Sequence, residues 1–401
     1  MEGDVKLLPV DDARRAILEA AVPLSAETVA LDAALLRTLA EPVTAARSQP
    51  PFAASAMDGW AVRSADCPGR LKIVGESAAG HGYERPLGPG EAVRIFTGAV
   101  VPGGADAVVI QEDAQREGDV VVTPAVTGPR HIRPQGQDFK AGDELLKPGV
   151  RLDPWRLSLA ASAGRASLKV SRAPTVAILS TGEEVVEPGG DPGPFQIFNS
   201  GTTALAALLR TWGAAPIALT SVGDSEDLIA GAVAGVSCDL VVTLGGASVG
   251  DHDLVKPALS RLGLALIVES VAVRPGKPTW FGTLGDGRRV LGLPGNPASA
   301  LVCAELFLRP LLMTMQGADP AVRLIKARAA VPMAANGGRE HWMRAGLSYA
   351  DDGAVIATPF RDQDSSLVTV FALADALMRR PVGAPAAAAG DPVDVLPLAR
   401  A

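Results

Sequence analysis

The pattern of hydrophobic and polar positions changes several times along the chain. Residues 9–22 ("PVDDARRAILEAAV") place apolar side chains on one helical face, with Asp11 as a candidate N-terminal cap. The stretch 31–43 predicts a second helix, which Pro42 would end. Farther on, between about 60 and 125, short apolar runs alternate with Gly and Pro turns. The first part of the chain is therefore predicted to combine helical segments with a small β domain.

A different pattern follows in the middle of the chain. Runs of strand length, such as "TVAILST" and "CDLVVTLGG", alternate with helix-like segments such as "TTALAALLRTWG". This alternation predicts an α/β fold with a doubly wound, mostly parallel sheet. The most apolar segment, 299–315, contains Glu305 and Arg309, so it is predicted to be a core helix and not a membrane span. After about residue 317, short strand-like runs predict a small C-terminal β barrel or sandwich.

Composition and charge argue against several classes of protein. The net charge is −7 and no Lys/Arg-rich run occurs, which disfavours a nucleic-acid partner. The three cysteines and four histidines are scattered without the spacing of zinc ligands. The sequence contains no P-loop, dinucleotide-binding glycine motif or nucleophile elbow. The charged N-terminus lacks the apolar core of a signal peptide, so we expect a cytoplasmic protein.

Acidic loops follow three of the predicted parallel strands. Ligands bind at the carboxyl ends of strands in such sheets, so these loops are candidate site elements. Glycine amides suit an anion, and carboxylates suit Mg²⁺, which bridges to phosphates. The candidates are Glu183 and Glu184 after the first strand, Asp224 after the second, and Gly245, Gly246, Ser248, Gly250, Asp251 and Asp253 after the third. The alternative is that these are ordinary turns whose acids cap helices.

Two further loops carry groups that suit an anion. The turn "RPGKP" holds Arg274 and Lys277 between prolines, an arrangement that fits an oxyanion or, equally well, a solvated turn. In the loop "GLPGNPASA", Pro294 ends a strand, while Asn296 and Pro297 are typical of a helix start. The free amides of such a helix start can also bind an anion.

Six motifs occur in order along the chain: "SAMDGWAVR", "TGAVVPGGADAVV", "STGEE", "GGASVGDHD", "PGKP" and "LPGNP". Together they resemble the molybdopterin molybdenumtransferase family, which comprises the bacterial MoeA proteins and the gephyrin E domain. The match runs over nearly the whole chain. The resemblance implies an elongated, discontinuous N-terminal domain (1–46 and 128–172), an inserted β domain (47–127), an α/β molybdopterin-binding domain (173–316) and a C-terminal β barrel (317–401).

The resemblance also implies a function and partners. Members insert molybdate into the dithiolene of adenylylated molybdopterin, with Mg²⁺, and release AMP in the last step of molybdenum cofactor synthesis. They are homodimers whose cleft lies between the α/β domain of one subunit and the inserted domain of the other. The molybdopterin adenylyltransferase is an implied partner, and neither a nucleic acid nor a membrane is expected.

Site residues transfer motif by motif. The implied catalytic residues are Asp58, Thr97, Asp138, Glu184, Asp224 and Asp253, and the last three would hold the metal ion. The implied substrate-binding residues are Gly245, Gly246, Ser248, Gly250, Arg274, Lys277, Pro294, Pro297, Arg344 and Ser365. Among these, Arg274, Arg344 and Ser365 would hold molybdate, and Lys277 and the loop amides would hold phosphates.

Four positions depart from the family pattern. Lysines are common where this chain has Ser270 and Arg274, an asparagine is common at Gly201, and a tyrosine is common at Leu254. The departures at 201, 254 and 270 keep alternatives open. These departures would fit a non-catalytic homologue that binds molybdopterin or scaffolds a partner. A second alternative is an enzyme that cleaves another nucleotide pyrophosphate, since related α/β domains occur in such proteins.

Overall fold

The computed structural model describes residues 7–223, 225–246 and 254–398. Within these ranges the chain forms three six-stranded sheets and four two-stranded sheets. The large sheets lie in the inserted, α/β and C-terminal segments. The exact boundaries of the four predicted parts stay a prediction.

The α/β segment contains a six-stranded sheet that is covered on both faces. In spatial order its strands are Ala215–Val222, Thr175–Thr181, Leu240–Leu244, Arg289–Leu293, Trp280–Thr283 and Ala265–Val268. The first four are parallel, and only Trp280–Thr283 runs antiparallel to its two neighbours, which confirms the predicted mostly parallel sheet. Val241 and Val242 pack into different hydrophobic cores, so neighbouring residues of one strand are both buried. Burial on both faces explains why these strands are apolar throughout.

Helices cover this sheet. They are Ser200–Thr211, Glu226–Gly235, Val255–Ser260 and Pro297–Cys303, and the last continues through a π-helical turn, Ala304–Leu308, into Arg309–Met315. The continuous helix Pro297–Met315 is long and apolar enough to cross a membrane by length and composition alone. However, 89% of its most apolar window is buried inside the protein, as in the core helix that the sequence predicts.

The N-terminal segment is built from two helices and several short strand pairs. The helices are Val10–Glu19 and Pro154–Ser162, and the paired strands are Ala26–Ala30 with Ser167–Ser171, Val43–Thr44 with Glu144–Leu146, and Ala54–Ser55 with Ile132–Arg133. Pro9, and not Asp11, is the residue before the first helix, and no side chain caps that helix.

The predicted helix over 31–43 is wrong. Only Leu31–Ala34 forms a short 3-10 turn. Leu36 has a φ of 63°, which a helix cannot contain. Its amide donates to the carbonyl of Leu152, and Leu39 donates to Val150, so the segment pairs with an extended part of the chain instead. Long-range pairing has overridden a local helical pattern.

The inserted segment forms a six-stranded sheet, as expected for a small β domain. In spatial order its strands are Ala107–Ile110, Gly59–Val62, Glu91–Ile95, Gly69–Ser77, Val120–Thr123 and Gln115–Glu117. Short 3-10 turns lie at Ser64–Asp66 and Gln111–Asp113. Trp60 and Ala61 pack into separate hydrophobic cores on the two faces of the sheet.

The C-terminal segment closes into a five-stranded barrel, so the predicted barrel is confirmed. Around the barrel its strands are Glu340–Tyr349, Val355–Pro359, Ile325–Ala329, Pro392–Pro397 and Ala376–Arg380, and the last pairs with the first. A short helix, Val368–Leu373, follows the strand Val355–Pro359 along the chain. The strand Val273–Arg274 of the α/β segment adds to the barrel by pairing parallel with Glu340–Tyr349. The two segments therefore share a continuous backbone ladder.

Candidate functional site

The ends of three parallel strands meet at one edge of the α/β sheet. Gly245, directly after Leu240–Leu244, donates its amide to the carbonyl of Leu293 at 3.3 Å. A side-chain carbon at Gly245 would lie 3.2 Å from the carbonyl oxygen and Oγ1 of Thr181, and one at Gly295 would lie 3.4 Å from the Gly245 Cα. Gly245 also has a φ of 91°. Glycine is therefore required where these strand ends approach.

Part of the predicted site lies outside the described residues, namely Asp224, Ser248, Gly250, Asp251 and Asp253. Gly246, with a φ of 59°, is the last residue described before that loop. Within the described ranges, no group of three or more His, Cys, Asp or Glu residues is placed to hold a metal ion.

Glu184 belongs to the predicted metal set and is described. Its side chain is exposed, and its carboxylate lies against Gly182, directly after the strand Thr175–Thr181. The Glu184 carbonyl accepts a hydrogen bond from the amide of Ile197 at 2.7 Å, which fixes the backbone of this loop. The carboxylate is a hard oxygen donor of the type that Mg²⁺ prefers, and it stands exposed near the strand end.

The start of the helix Pro297–Cys303 is tied to the C-terminal barrel. Asn296 precedes this helix, but its side chain makes no capping bond. Its Nδ2 instead donates to the Oγ of Ser365 at 2.9 Å, and the amide of Ala298 donates to the Ser365 carbonyl at 3.1 Å. The predicted residues Pro294, Pro297 and Ser365 therefore belong to one cluster.

Arg344 is fully buried and only partly hydrogen-bonded. Its Nη2 donates to the carbonyl of Asp364 at 2.8 Å, and its side chain is 0% exposed. Its Nε and Nη1 have no hydrogen-bond partner among the residues that the structure describes. Burial lowers the pKa of Arg344, although the nearby Asp362 and Asp364 oppose that shift. A buried guanidinium with two free donors is costly unless a ligand supplies acceptors, and an oxyanion does so well.

Sequence reasoning missed the residue that holds Arg344 in place. The Oε1 of Gln363 accepts from the Arg344 amide at 2.9 Å, and its Nε2 donates to the Arg344 carbonyl at 2.9 Å. These bonds dock the loop 360–366 onto the barrel strand. The polar run "RDQDSS" after the strand Val355–Pro359 is the signal that would have indicated a site loop here.

The turn that carries Arg274 and Lys277 packs against the same helix, at its last residue, Cys303. Both cationic side chains are exposed. Between them, Gly276 has a φ of 120°, and a side-chain carbon there would lie 2.2 Å from the Sγ of Cys303. The close packing on Cys303 holds the turn at the helix Pro297–Cys303.

Asp58, Thr97 and Asp138 lie in a second region, at the inserted segment. The amide and the Oγ1 of Thr97 donate to the Asp58 Oδ1 at 2.7 and 2.8 Å. The Thr97 amide, followed by its hydroxyl, lowers the pKa of Asp58, so this carboxylate is charged at neutral pH. Asp138 lines a neighbouring cavity of about 580 Å³ together with Gly98. The bonds of Asp58 and Thr97 stay within the inserted segment, whereas Arg344 contacts the loop 360–366.

The structure explains one of the unusual residues. A side-chain carbon at Gly201 would lie 3.3 Å from the Leu244 Cδ1, so the helix Ser200–Thr211 approaches the strand end closely. Ser270 is buried, and its Oγ has no partner among the described residues. Nothing in the structure explains Leu254.

Three family models match successive parts of the chain. They are the MoeA N-terminal region (domain I and II) over residues 8–164, a probable molybdopterin binding domain over residues 177–314, and the MoeA C-terminal region (domain IV) over residues 326–398. Together these matches account for most of the chain.

Curated proteins and a solved structure are similar over similar lengths. The molybdopterin molybdenumtransferase of Bacillus subtilis is 34% identical over 404 residues, which covers 97% of this chain and 94% of that protein. The protein of that name from Nostoc sp. is 37% identical over 343 residues, with coverage of 81% and 78%. The crystal structure of a molybdopterin biosynthesis MoeA protein from Pyrococcus horikoshii matches with a TM-score of 0.83 and 25% identity, over 98% of this chain and 100% of that one. The chain therefore belongs to the molybdopterin molybdenumtransferase family, the MoeA proteins.

Proposed function

We propose that this protein inserts molybdate into adenylylated molybdopterin and releases AMP, as the last step of molybdenum cofactor synthesis. Membership of the family supports this transferase activity. The observation that carries the proposal is the buried guanidinium of Arg344, whose Nε and Nη1 have no partner among the described residues. Ser365, on the loop held against Arg344, adds a hydroxyl at the junction with the α/β domain.

Molybdate would be held at this junction. The unpartnered Nε and Nη1 of Arg344 would donate charge-assisted hydrogen bonds to oxyanion oxygens. The nearby exposed Arg274 would add positive charge. Because the Arg344 side chain is already fixed and desolvated, little entropy is lost when it binds the anion.

The phosphates of the substrate would lie along the glycine edge of the sheet. The backbone amides of Gly246, Ser248 and Gly250 would donate to phosphate oxygens, and Gly245, whose amide donates to Leu293, would shape the turn that carries them. Lys277 would add a mobile charge, and Pro294 and Pro297 would shape the opposite loop. The converging strand ends at Thr181, Gly245 and Gly295 support a phosphate position close to the backbone.

A Mg²⁺ ion would complete this edge, held by Glu184 with Asp224 and Asp253. When bound, it would supply the positive charge that offsets the anionic substrate and the carboxylates. No protein nucleophile is needed, because positioning and electrostatic stabilisation are sufficient for phosphoryl chemistry. The chain's own part is to align the pyrophosphate and the dithiolene with molybdate and to keep the reacting groups fixed.

A homodimer would bring in the remaining residues. Asp58, Thr97 and Asp138 form a region apart from Arg344 in the single chain, which fits their supply by a second subunit. The exposed apolar side chains of Phe195, at 91%, and Ile197, at 60%, lie on the loop that follows Glu184 and suit burial by that subunit. We also propose a cytoplasmic location and the molybdopterin adenylyltransferase as a partner, since that enzyme makes the substrate.

The test is a reaction with purified protein, adenylylated molybdopterin, Mg²⁺ and molybdate, in which AMP and active cofactor are both measured. AMP released in step with molybdenum insertion supports the proposal. Binding without AMP release would indicate a scaffold, and cleavage of other dinucleotides would indicate a pyrophosphatase.

A pair of variants connects that assay to the site. Arg344→Gln should lower molybdenum insertion at least about a hundredfold, because the lost contacts are charge-assisted. Arg328→Gln is the matched control, since Arg328 is on the same barrel but forms an exposed ion pair with Asp352 at 2.8 Å. Equal insertion by the two variants would remove Arg344 from the proposed mechanism.

A further inference from the structure

A second cavity lies at the mouth of the C-terminal barrel. Its volume is about 510 Å³, and it opens between the segment 331–337 and the ends of the barrel strands. Its cationic and titratable lining consists of Arg274, His341, Arg361 and Arg380. None of the described residues that line it is acidic.

This cavity differs from the molybdate position proposed above. His341 and Met343 line it, whereas Arg344 does not, and Trp342 packs into the core shared with the α/β segment. Alternate residues of a strand face opposite sides of a sheet. The strand Glu340–Tyr349 therefore separates the cavity from the side that carries Arg344.

The arginines of the cavity are held in place by the fold. Arg380 is 7% exposed, and its Nη2 donates to the carbonyls of Ala334, at 3.2 Å, and Pro385. Arg274 lies opposite His341 in a parallel backbone register. The Arg380 contacts fix one positive charge in the cavity wall before any ligand arrives, and the backbone pairing places Arg274 opposite His341.

No acidic side chain among the described lining residues offsets the positive charge of the cavity. Burial, followed by the charges of Arg274, Arg344, Arg339 and Arg380, lowers the pKa of His341 to about 4. Glu340, next to His341 in sequence, is engaged elsewhere, since it accepts from the Arg379 Nη2 at 2.7 Å and the Trp342 Nε1 at 2.8 Å. A concave, positively charged and partly enclosed surface concentrates anions.

We propose that the barrel-mouth cavity lined by Arg274, Arg361 and Arg380 binds a tetrahedral dianion. Guanidinium groups are suited to such a ligand because they donate in pairs to its oxygens. The same chemistry is offered by a free oxyanion, such as phosphate or molybdate, and by the phosphate of a nucleoside monophosphate. The cavity also has an apolar wall, formed by Met333, Met343 and Phe360, which fits the nucleoside of a nucleoside monophosphate. The cavity shares Arg274 with the proposed molybdate position, whereas His341, Arg361 and Arg380 have no part in the proposed transfer.

The test uses the ring resonances of His341 in the full-length protein. The chain has four histidines, so a spectrum of His341→Gln assigns the signal. Inorganic phosphate, molybdate and AMP are added in turn at neutral pH and constant ionic strength. We expect a saturable shift of the His341 signal, and in a pH titration we expect the pKa of His341 to rise when the dianion is bound.

Variants locate the binding to the cavity. Arg361→Gln should weaken binding about tenfold, the loss expected for one charge-assisted contact, while Arg328→Gln on the outside of the barrel should not. If AMP binds at least about tenfold more tightly than phosphate, the ligand is a phosphate monoester. A tenfold difference corresponds to roughly one added contact. Equal affinities would identify a free oxyanion. An unmoved His341 signal with all three anions, or unchanged affinity in Arg361→Gln, would overturn the proposal, and neither result depends on AMP release.

Discussion

Asn296 donates a hydrogen bond from its Nδ2 to the Oγ of Ser365 at 2.9 Å, and this contact joins the glycine edge of the α/β segment to the C-terminal barrel. The two residues are 69 positions apart in sequence. Asn296 precedes the helix Pro297–Cys303, and Ser365 is on the loop that receives the guanidinium of Arg344. The groups that we propose to bind phosphate and molybdate are thereby placed in one structural unit.

Ser365→Ala should test that contact. The variant keeps the backbone bond from Ala298 to residue 365 but loses the hydroxyl. We expect molybdenum insertion to fall about tenfold, since one hydrogen bond is removed, with a change of about 1 kcal/mol or less in the free energy of unfolding. The rate at several molybdate concentrations measures the first effect, and chemical denaturation measures the second.

Ser348→Ala is the control for this variant, because Ser348 is an exposed residue of the same barrel. A similar loss of insertion in both variants would show that the Asn296–Ser365 contact is not what matters.

Thr97→Val should raise the pKa of Asp58 from its lowered value. The hydroxyl donor is lost, but the backbone amide of residue 97 still donates. Asp58 has a lowered pKa in the folded state, so its interaction stabilises the protein above the unfolded pKa and is lost as the pH falls through the folded pKa. Carboxyl NMR titration of both proteins measures the change.

Thr97→Ser keeps the hydroxyl and should leave the Asp58 pKa close to that of the parent protein. If Asp58 has the same pKa in Thr97→Val as in the parent protein, the role assigned to the Thr97 hydroxyl is contradicted.

Gly276→Ala should destabilise the protein by about 2–4 kcal/mol, because the added carbon overlaps a buried atom. That carbon would lie 2.2 Å from the Cys303 Sγ, at a residue whose φ is 120°. Gly287→Ala separates the steric overlap from the backbone strain of a positive φ. Gly287 has a φ of 88°, but the space around it is open. Chemical denaturation should show a clearly larger loss for Gly276→Ala than for Gly287→Ala.

Glu305→Gln should make the protein more stable at neutral pH. Burial raises the pKa of Glu305 to about 7 from 4.5, and Arg309, 4.0 Å away, opposes the shift only in part. Because the folded state holds the proton more tightly, this group lowers stability as the pH rises from 4.5 to about 7. We expect a gain of roughly 2 kcal/mol at pH values above this window and none below it.

Unfolding free energies measured across this pH range test the effect, with exposed Glu19→Gln as the control. If the free energy of unfolding changes with pH in the same way in the parent protein and in Glu305→Gln, Glu305 does not retain its proton on folding.

Local pattern was sufficient to predict much of the fold. The alternation of apolar strands and helices predicts the mostly parallel sheet because both faces of each strand must be buried, as Val241 and Val242 show. The same reasoning failed over 31–43, where Leu36 takes a φ of 63° and pairs with Leu152, more than a hundred residues away. A local period carries no information about such a partner.

The candidate site was predicted only in part for the same reason. The helix start at Pro297 follows from local sequence, but the use of Asn296 to contact Ser365 depends on a distant loop. The position of Gln363 against Arg344, and the barrel-mouth cavity around His341, likewise arise from strand pairing in the folded barrel. Whether the predicted metal-binding acids come together stays a prediction.

The ladder between Val273–Arg274 and the barrel strand has a mechanical consequence. The amide of Glu340 donates to the Ala272 carbonyl at 2.8 Å, and Asn296 holds Ser365 a short distance away, so the barrel is anchored at two points. A hinge between these bodies would have to break both anchors together. Admission of a bulky pterin nucleotide must therefore proceed by a route that leaves this joint locked.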